Sequence, residues 1–502
     1  MKITKLFYKK FLVVISIIAI VLFGLNFYAK NKIDEVLQQK ITEKGFEYSG
    51  DISVNVLFGN VAINNVELSK DSLKFQSNTI SVSDFSYYSF LINDKISIGE
   101  VKVSTSSIEG KLPKKTSKPI SKKDTLQHKK EEIFIESIIV NNLNVSVVDA
   151  ASYPIKMANI NIEISDFDLS ANSHKKIPFS YDNLFVEIDN FEKKTSEVQA
   201  IKFKKFEFKN NDIVIDSLQI VPLKSRKNYI YHLPYEKELL DLVAKQIKIS
   251  DIKIEEEPNL SFSANHILVD NVFFDLYLNA SVLEASKKFK PLYSKSLRDL
   301  PFKIDVKSLD IKDSKLIYEE QTKKNHKPGI LVFDELNAQI KNINNSEYKT
   351  EKFTVVDIQS KFMTDSALKI RWSFDINNKN DDFRISGSLF HVNSKNMSSF
   401  ILPAYNVKMD GYINEMFFDF EGNNSVSNGK LNIDFKNFNI KILDKQKNKK
   451  KFLSWLANLF VKDTSKQGMV KTKVEKLERD QTKSFWNYFW KNIEKGLQKS
   501  LI

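Results

Sequence analysis

Residues 247–254 read IKISDIKI and residues 267–274 read ILVDNVFF. In each, two apolar residues one position apart are followed by a polar pair, then by two more apolar residues at the same spacing. Successive side chains of a strand point to opposite faces, so the polar pair shifts the parity by one. All four apolar side chains return to one face if the pair forms a two-residue hairpin turn, or if one residue of the pair is absorbed as a β-bulge. The central pairs include Asn64-Asn65, Lys204-Lys205, Ser250-Asp251 and Asp334-Glu335, and Gly99-Glu100 supplies the one glycine. Hairpin turns of types I′ and II′ need positive φ, which Lys-Lys and Asp-Glu tolerate poorly. Bent, bulged strands of about eight residues are therefore favoured over hairpins, with both geometries still open.

The spacing recurs eleven times, starting at Val61, Ile80, Ile96, Ile138, Ile162, Ile201, Ile213, Ile247, Ile267, Leu331 and Ile433. Leu309-Ile311 with Leu316-Tyr318 is a near-match carrying Ser314 in the third slot. Several instances pair up about 20 residues apart, as 61 with 80, 138 with 162, 247 with 267 and 309 with 331, which predicts antiparallel neighbours in a sheet extended by repetition. A sheet that is apolar on one face must close as a barrel, pack a second layer, or curl into a trough around something apolar. Only Tyr235–Gln246 and Leu283–Leu300 read as internal helices, so cover is scarce. The residues expected to line the apolar face are Ile138, Val140, Leu143, Val145, Ile247, Ile249, Ile252, Ile254, Ile267, Val269, Val272 and Phe274.

The ends of the chain differ from its middle. Phe11 to Leu25, FLVVISIIAIVLFGL, is uncharged and reaches Tyr28 through Asn26 and Phe27, about 18 residues that just cross a ~30 Å hydrocarbon layer. Lys2, Lys5, Lys9 and Lys10 precede it without an acid, which predicts a cytoplasmic amino terminus and an extracytoplasmic bulk. Bulky Phe27 at the −3 position of any cleavage after Ala29 favours an anchor over a cleaved signal peptide. Asn31 to Gly45 continues as a helix that Gly45 stops. At the other end, Ser484 to Ile502 places Trp486, Phe489, Trp490, Ile493 and Leu497 along one face beside Lys491, Lys495 and Lys499. This suits an interfacial membrane helix and equally a cap on the last edge of the sheet. Phe452, Trp455, Leu456, Leu459 and Phe460 repeat at helical spacing as well.

Composition narrows the function. The 502 residues carry a net charge of +13, are 42% hydrophobic and 12% aromatic, and contain no cysteine. Six lysines without an acid lie within residues 1–32, and residues 441–502 hold 16 basic against six acidic residues, which leaves the middle of the chain slightly negative. A nucleic-acid binder would carry its basic surface on the folded body; here the charge sits at two membrane-seeking ends. The domain order expected is a cytoplasmic tail and anchor over 1–30, a helix and first strands over 31–110, a basic linker over 111–130, the main repeat sheet over 131–442, and a basic helical tail over 443–502. The six histidines never fall within four residues of one another, and no nucleophile elbow, P-loop or dinucleotide fingerprint occurs. No catalytic, metal or cofactor residue is expected.

The apolar segment followed by Gly45-Phe46, with Leu57-Phe58-Gly59-Asn60-Val61-Ala62-Ile63-Asn64-Asn65-Val66, resembles the opening of the AsmA-like bacterial envelope proteins, in their branch of periplasmic domains of unknown function. Leu300-Pro301-Phe302, Asp313 to Glu320 and Pro328 to Phe333 are similar to that family's central block. Pro403 to Leu443, with Asp410-Gly411-Tyr412-Ile413, Gly422-Asn423-Asn424 and Asn428-Gly429-Lys430, is similar to its carboxy-terminal block. Phe435 stands where that block often has a tyrosine. The resemblance implies a mainly β fold: a transmembrane helix, then an elongated, curled antiparallel repeat sheet with an open groove, then amphipathic helices. It further implies a single-pass inner-membrane protein with its bulk in the periplasm, a phospholipid or other acyl-chain lipid as partner, and a link to outer-membrane integrity. It brings no catalytic residues. A periplasmic chaperone that holds outer-membrane proteins by edge pairing, and a closed-core tether, are the alternative readings.

Overall fold

The structure, a computed structural model, describes residues 2–93, 95–112, 132–169, 179–255, 260–345, 352–443 and 468–501, with side chains from Val21 onward. Among these residues it is mainly β, a twenty-stranded and mostly antiparallel sheet that does not close. The chain groups into two compact units, Met1–Lys194 with Phe203–Asn210, and Thr195–Lys202 with Asn211–Ile502. Most of the expected basic linker and the helical repeat around Trp455 lie outside the described residues.

The first unit opens with α1 (Lys2–Glu43), which ends where the sequence predicts. Gly45 takes φ 76°, its amide donates to the Thr42 carbonyl at 2.8 Å, and the Phe46 amide reaches back to Ile41 at 3.1 Å. This paired closure satisfies the last carbonyls of the helix through a left-handed residue that glycine adopts without strain. Strands β1 (Glu47–Asn55), β2 (Asn60–Lys70), β3 (Leu73–Ser83) and β4 (Lys95–Lys111) follow as antiparallel neighbours. A short helix, α2 (Tyr87–Asn93), joins the last two. β5 (Glu132–Val148) then pairs with β4 in parallel, and β6 (Pro154–Leu169) and β7 (Asn183–Lys194) restore the antiparallel order. β8 (Gln199–Lys209) is split between the two groupings.

The second unit repeats the plan. β9 (Asp212–Pro222), β10 (Leu239–Ser250) and β12 (Ser261–Asn279) are antiparallel, with the short β11 (Lys253–Glu255) on the margin of β12. β12 then runs parallel to β13 (Lys303–Gln321). The intervening crossover carries α3 (Tyr293–Arg298), and a parallel step requires such a return segment. From there β14 (Gly329–Asn344), β15 (Phe353–Phe362), β16 (Ser366–Asp375), β17 (Phe383–Asn393), β18 (Val407–Gly422), β19 (Val426–Ile442) and β20 (Val470–Glu478) add antiparallel strands in order. α4 (Ser398–Tyr405) precedes β18, and α5 (Phe485–Leu501) follows β20.

Except after β3 and β10, whose last residues are Ser83 and Ser250, the repeated polar pairs lie inside continuous strands as bulges, and across all eleven instances the second residue is left-handed in nine. These are Asn65, Asp84, Asn142, Asp166, Ser217, Asp251, Asn271, Glu335 and Asn437, with φ between 47° and 56°. Positive φ therefore serves the bulge, contrary to its use above as an argument against turns alone; Asn and Asp, the commonest residues here, tolerate it best. Lys205 and Glu100 are the two exceptions. The strands extend past the repeat, so β4, β5, β12 and β13 run to 17–19 residues in place of the eight expected, and β6 and β14 each carry two left-handed residues, Asn159 with Asp166 and Glu335 with Asn342.

A left-handed residue turns its amide out of the ladder, and at five positions a side chain of a neighbouring strand supplies the acceptor. Asn161 Oδ1 takes the Asn142 amide at 3.0 Å and Asn144 Oδ1 takes that of Asn159 at 3.2 Å. Asp212 serves Asp251 at 2.9 Å, Asn337 serves Asp313 at 3.2 Å, and Asn428 serves Lys476 at 2.9 Å. The abundance of Asn and Asp in the strands thus has two causes: one residue makes the bend and another satisfies the amide the bend releases.

Tyr235–Gln246 is not a helix. Most of it is β10, in which Leu242, Ala244, Ile247 and Ile249 repeat the same spacing around Lys245-Gln246. The three-residue step across the polar pair imitates helical spacing, and pairing to β9 and β12 on both sides settles the outcome. Of Leu283–Leu300, only Tyr293–Arg298 is helical. Asn142→Gly is expected to keep wild-type stability, whereas Asn142→Val should cost about 1–2 kcal/mol, as read by denaturant midpoints of the full chain and by faster amide exchange in β5 and β6.

Candidate functional site

In the first unit, cross-strand partners line up the apolar positions into rows. Val61, Val82, Val101, Ile138, Ile164 and Leu184 face one another in succession, and Ile63, Ile80, Val103, Val140, Ile162 and Val186 form the next row. All twelve are only half-buried, although a strand lies on each side of most of them. Among the described residues of this unit the buried apolar side chains are few, Ile52, Val66, Val147 and Ile160 being the main ones, and no buried hydrophobic cluster forms.

The second unit shows what the same face looks like when covered. One row runs Ile213, Ile249, Ile267, Leu309, Ile340, Val356, Trp372, Ile385 and Phe420 across β9 to β18. Its first five members are half-buried, Val356 and Trp372 fall to 7% exposure, and Ile385 and Phe420 reach 0%. The change coincides with two covering elements. α5 lays Phe485, Tyr488, Ile493 and Leu501 on the face, and the crossover before β13 adds Leu292 and Leu297. The Trp372 ring stacks on Phe485 at 4.6 Å and meets Tyr293 edge-on at 5.1 Å. Gly496 lets α5 approach closely, since a Cβ there would lie 2.8 Å from Leu431.

Most of the residues expected to line the face do so. Ile138, Val140, Leu143 and Val145 lie on β5, and Ile247, Ile249, Ile267, Val269, Val272 and Phe274 lie on β10 and β12, all half-buried and in register with apolar partners. Two depart. Ile252 is buried in a small cluster with Ala264 and Val306, and Ile254, on the marginal β11, is 65% exposed. β10 ends at Ser250 and the left-handed Asp251 redirects the chain, so the alternation does not continue along one strand. In the tail, Phe489, Trp490, Ile493 and Leu497 pack against the large core, and Trp486 stays 40% exposed with its Nε1 donating to the Tyr293 hydroxyl at 3.2 Å. The face considered for a membrane is thus the face that α5 turns to the sheet.

The sequence reading did not find the buried charges. Asp275 and Glu319 lie on neighbouring strands and share Arg226, which reaches Glu319 at 2.8 Å and stacks over the Tyr277 ring at 5.1 Å. Burial is the main influence that raises the Asp275 pKa, partly opposed by Arg226, and burial pushes the Tyr229 hydroxyl up to about 12. Arg298 similarly holds Asp381 at 2.7 Å, and Arg479 bonds the Asn424 side chain and the Lys290 carbonyl. The signal was available, because only five of the 76 basic residues are arginine and the planar fork suits half-buried multiple contacts that lysine makes poorly. These groups clamp loops onto the sheet and present no nucleophile. Among the described residues no cluster of His, Asp and Glu is arranged to hold a metal ion.

Arg226→Met is expected to destabilise the chain by about 2 kcal/mol at neutral pH, below the ~3–5 of a fully buried pair because the guanidinium is half-exposed. The raised Asp275 pKa makes the folded state hold its proton, so stability falls as pH rises through it; the defect should be small near pH ~4 and grow toward neutrality. Denaturation midpoints across that range check both the size and the sign. No protein-family model matches the chain, and no characterised protein matches it either.

Proposed function

We propose that the protein holds phospholipid, or another acyl-chain lipid, along the half-exposed apolar face of its sheet, without catalysis. The observation that carries this reading is the gradient along one row: the same positions that are dry beneath α5 remain half-exposed over β9 to β14, and over β2 to β7 in the first unit. Burial of apolar area contributes about 25 cal/mol per Å², so rows of Ile and Val left in water favour an apolar occupant. An acyl chain fits the chemistry, since the rows offer methyl groups and few hydrogen-bonding groups, and selection would come from width.

The apolar run Phe11–Leu25 within α1 supports an inner-membrane anchor with the amino terminus in the cytoplasm and the bulk in the periplasm. Among the described residues no helix is long and apolar enough to cross a membrane, and the side chains of 1–20, which carry most of that run, lie outside them. The likeness to AsmA-like proteins points the same way, toward a role in outer-membrane integrity.

A photo-crosslinking residue placed at Ile249 or Ile138 in the full chain should yield phospholipid adducts by mass spectrometry, and the same residue at the outward Lys248 should not. Equal labelling at all three positions, or none at the inward pair of a folded protein, would overturn the proposal.

A further inference from the structure

Outside α1, where Phe23 and Tyr28 are 76% and 70% exposed, the described apolar side chains left most open to solvent in the first unit are grouped in two short segments beside that helix. Leu57 and Phe58 lie in the single helical turn Val56–Phe58, Tyr88 and Ile92 lie on α2, and each is between 63% and 70% exposed. None belongs to the bulged repeat of the strands. Their positions are fixed to one another and to α1 by polar bonds. The Val56 amide donates to Asn26 Oδ1 at 2.7 Å, and the Tyr87 hydroxyl donates to the Val56 carbonyl at 2.8 Å. The Phe85 amide donates to the Gly59 carbonyl at 3.2 Å, and Phe85 packs against both Tyr87 and Phe90. Gly59, with φ 64°, permits this contact, since a Cβ there would lie 2.8 Å from the Phe85 carbonyl oxygen.

Asn26 is the first polar residue after the uncharged run Phe11–Leu25. A helix that crosses a bilayer with residues 11–28 holds Asn26 within one turn of the hydrocarbon boundary. The bond from Asn26 to Val56 then fixes the turn and α2 at the same depth. We propose that Leu57, Phe58, Tyr88 and Ile92 form a seat that inserts into the interfacial layer of the membrane holding α1. The occupant is the bilayer surface itself. Phe, Tyr and aliphatic side chains are the kinds that partition there. The seat places the start of β2, and with it the first members of the apolar rows, Val61 and Ile63, next to acyl chains. This inference rests on the anchored reading of α1 above.

The cysteine-free chain allows a direct test. Single cysteines at Leu57, Tyr88 and Ile92 carry an environment-sensitive fluorophore in the full-length protein, reconstituted in vesicles of phosphatidylethanolamine and phosphatidylglycerol with lipids spin-labelled near the headgroup. Phe23→Cys reports the anchor, and Ser72→Cys, in the turn at the far end of β2, reports solvent. Quenching at 57, 88 and 92 should exceed that at 72 by at least about twofold, as insertion into the interface requires. Quenching at 23 with none above the Ser72 level at the other three overturns the seat and leaves the anchor standing. No quenching at 23 overturns both. Gly59→Leu, which forces the turn away from Phe85, should lower quenching at 57 and leave it unchanged at 23; unchanged quenching at 57 would also count against the seat.

Discussion

The apolar face of this molecule depends on one backbone device, a strand residue held at positive φ, whose amide is at several positions accepted by a side chain on the next strand. Without it, a strand of 17 to 19 residues would twist its apolar positions away from a common face, or would need a break. With it, the strand bends and one face stays apolar from end to end. The rows of Ile and Val, the parallel steps and the position of α5 all presuppose that face.

The second unit carries the covered and uncovered states of that face on one continuous row. Beneath α5, aromatic rings fill the space between helix and sheet, and glycines at 387 and 496 make room for Phe418 and Leu431. Away from α5 the side chains of that row are smaller, mostly Ile, Val and Leu, and α4 packs near Tyr318 and Leu331 at the other end of β13 and β14. Ring size and cover change together along the row, which distinguishes a face built to be packed by protein from one that is not. The outward face follows another rule, with surface ion pairs such as Lys315 to Asp334 at 2.8 Å and Lys205 to Glu187 at 2.6 Å. Such pairs contribute little to stability but keep that face wetted.

The repeat was readable from residue types alone, because apolar spacing and polar pairs are local properties. The pairing of the doublets followed from it, as did the stop of α1 at Gly45. The expected lining residues stand in cross-strand apolar rows where the repeat lies inside a strand, and Ile252 and Ile254 leave them where the left-handed Asp251 sits at a strand end. Periodicity cannot tell those cases apart, since only pairing on both sides keeps a bulge within a strand. Tyr235–Gln246 was misread for the same reason. Cover was also hidden: nothing in FWNYFW says whether the helix faces lipid or its own sheet, and the answer depends on Leu431 and Trp372, far away in sequence. The arginine clamps are marked in the sequence only by scarcity, which does not separate Arg226, Arg298 and Arg479 from Arg371 and Arg384 in exposed ion pairs.

The bulge amides that bond a side chain on another strand find it on the immediate neighbour. Insertion or loss of a whole strand pair therefore leaves the remaining bends intact, and changes the extent of the apolar face by about 10 Å, two spacings of ~4.8 Å. Duplication of a forty-residue segment is then a small physical perturbation, in contrast to its effect on a closed barrel, whose strand number, tilt and circumference are locked together. Chain length in such a protein is a dimension that selection can adjust in steps, much as the number of rungs sets the reach of a ladder.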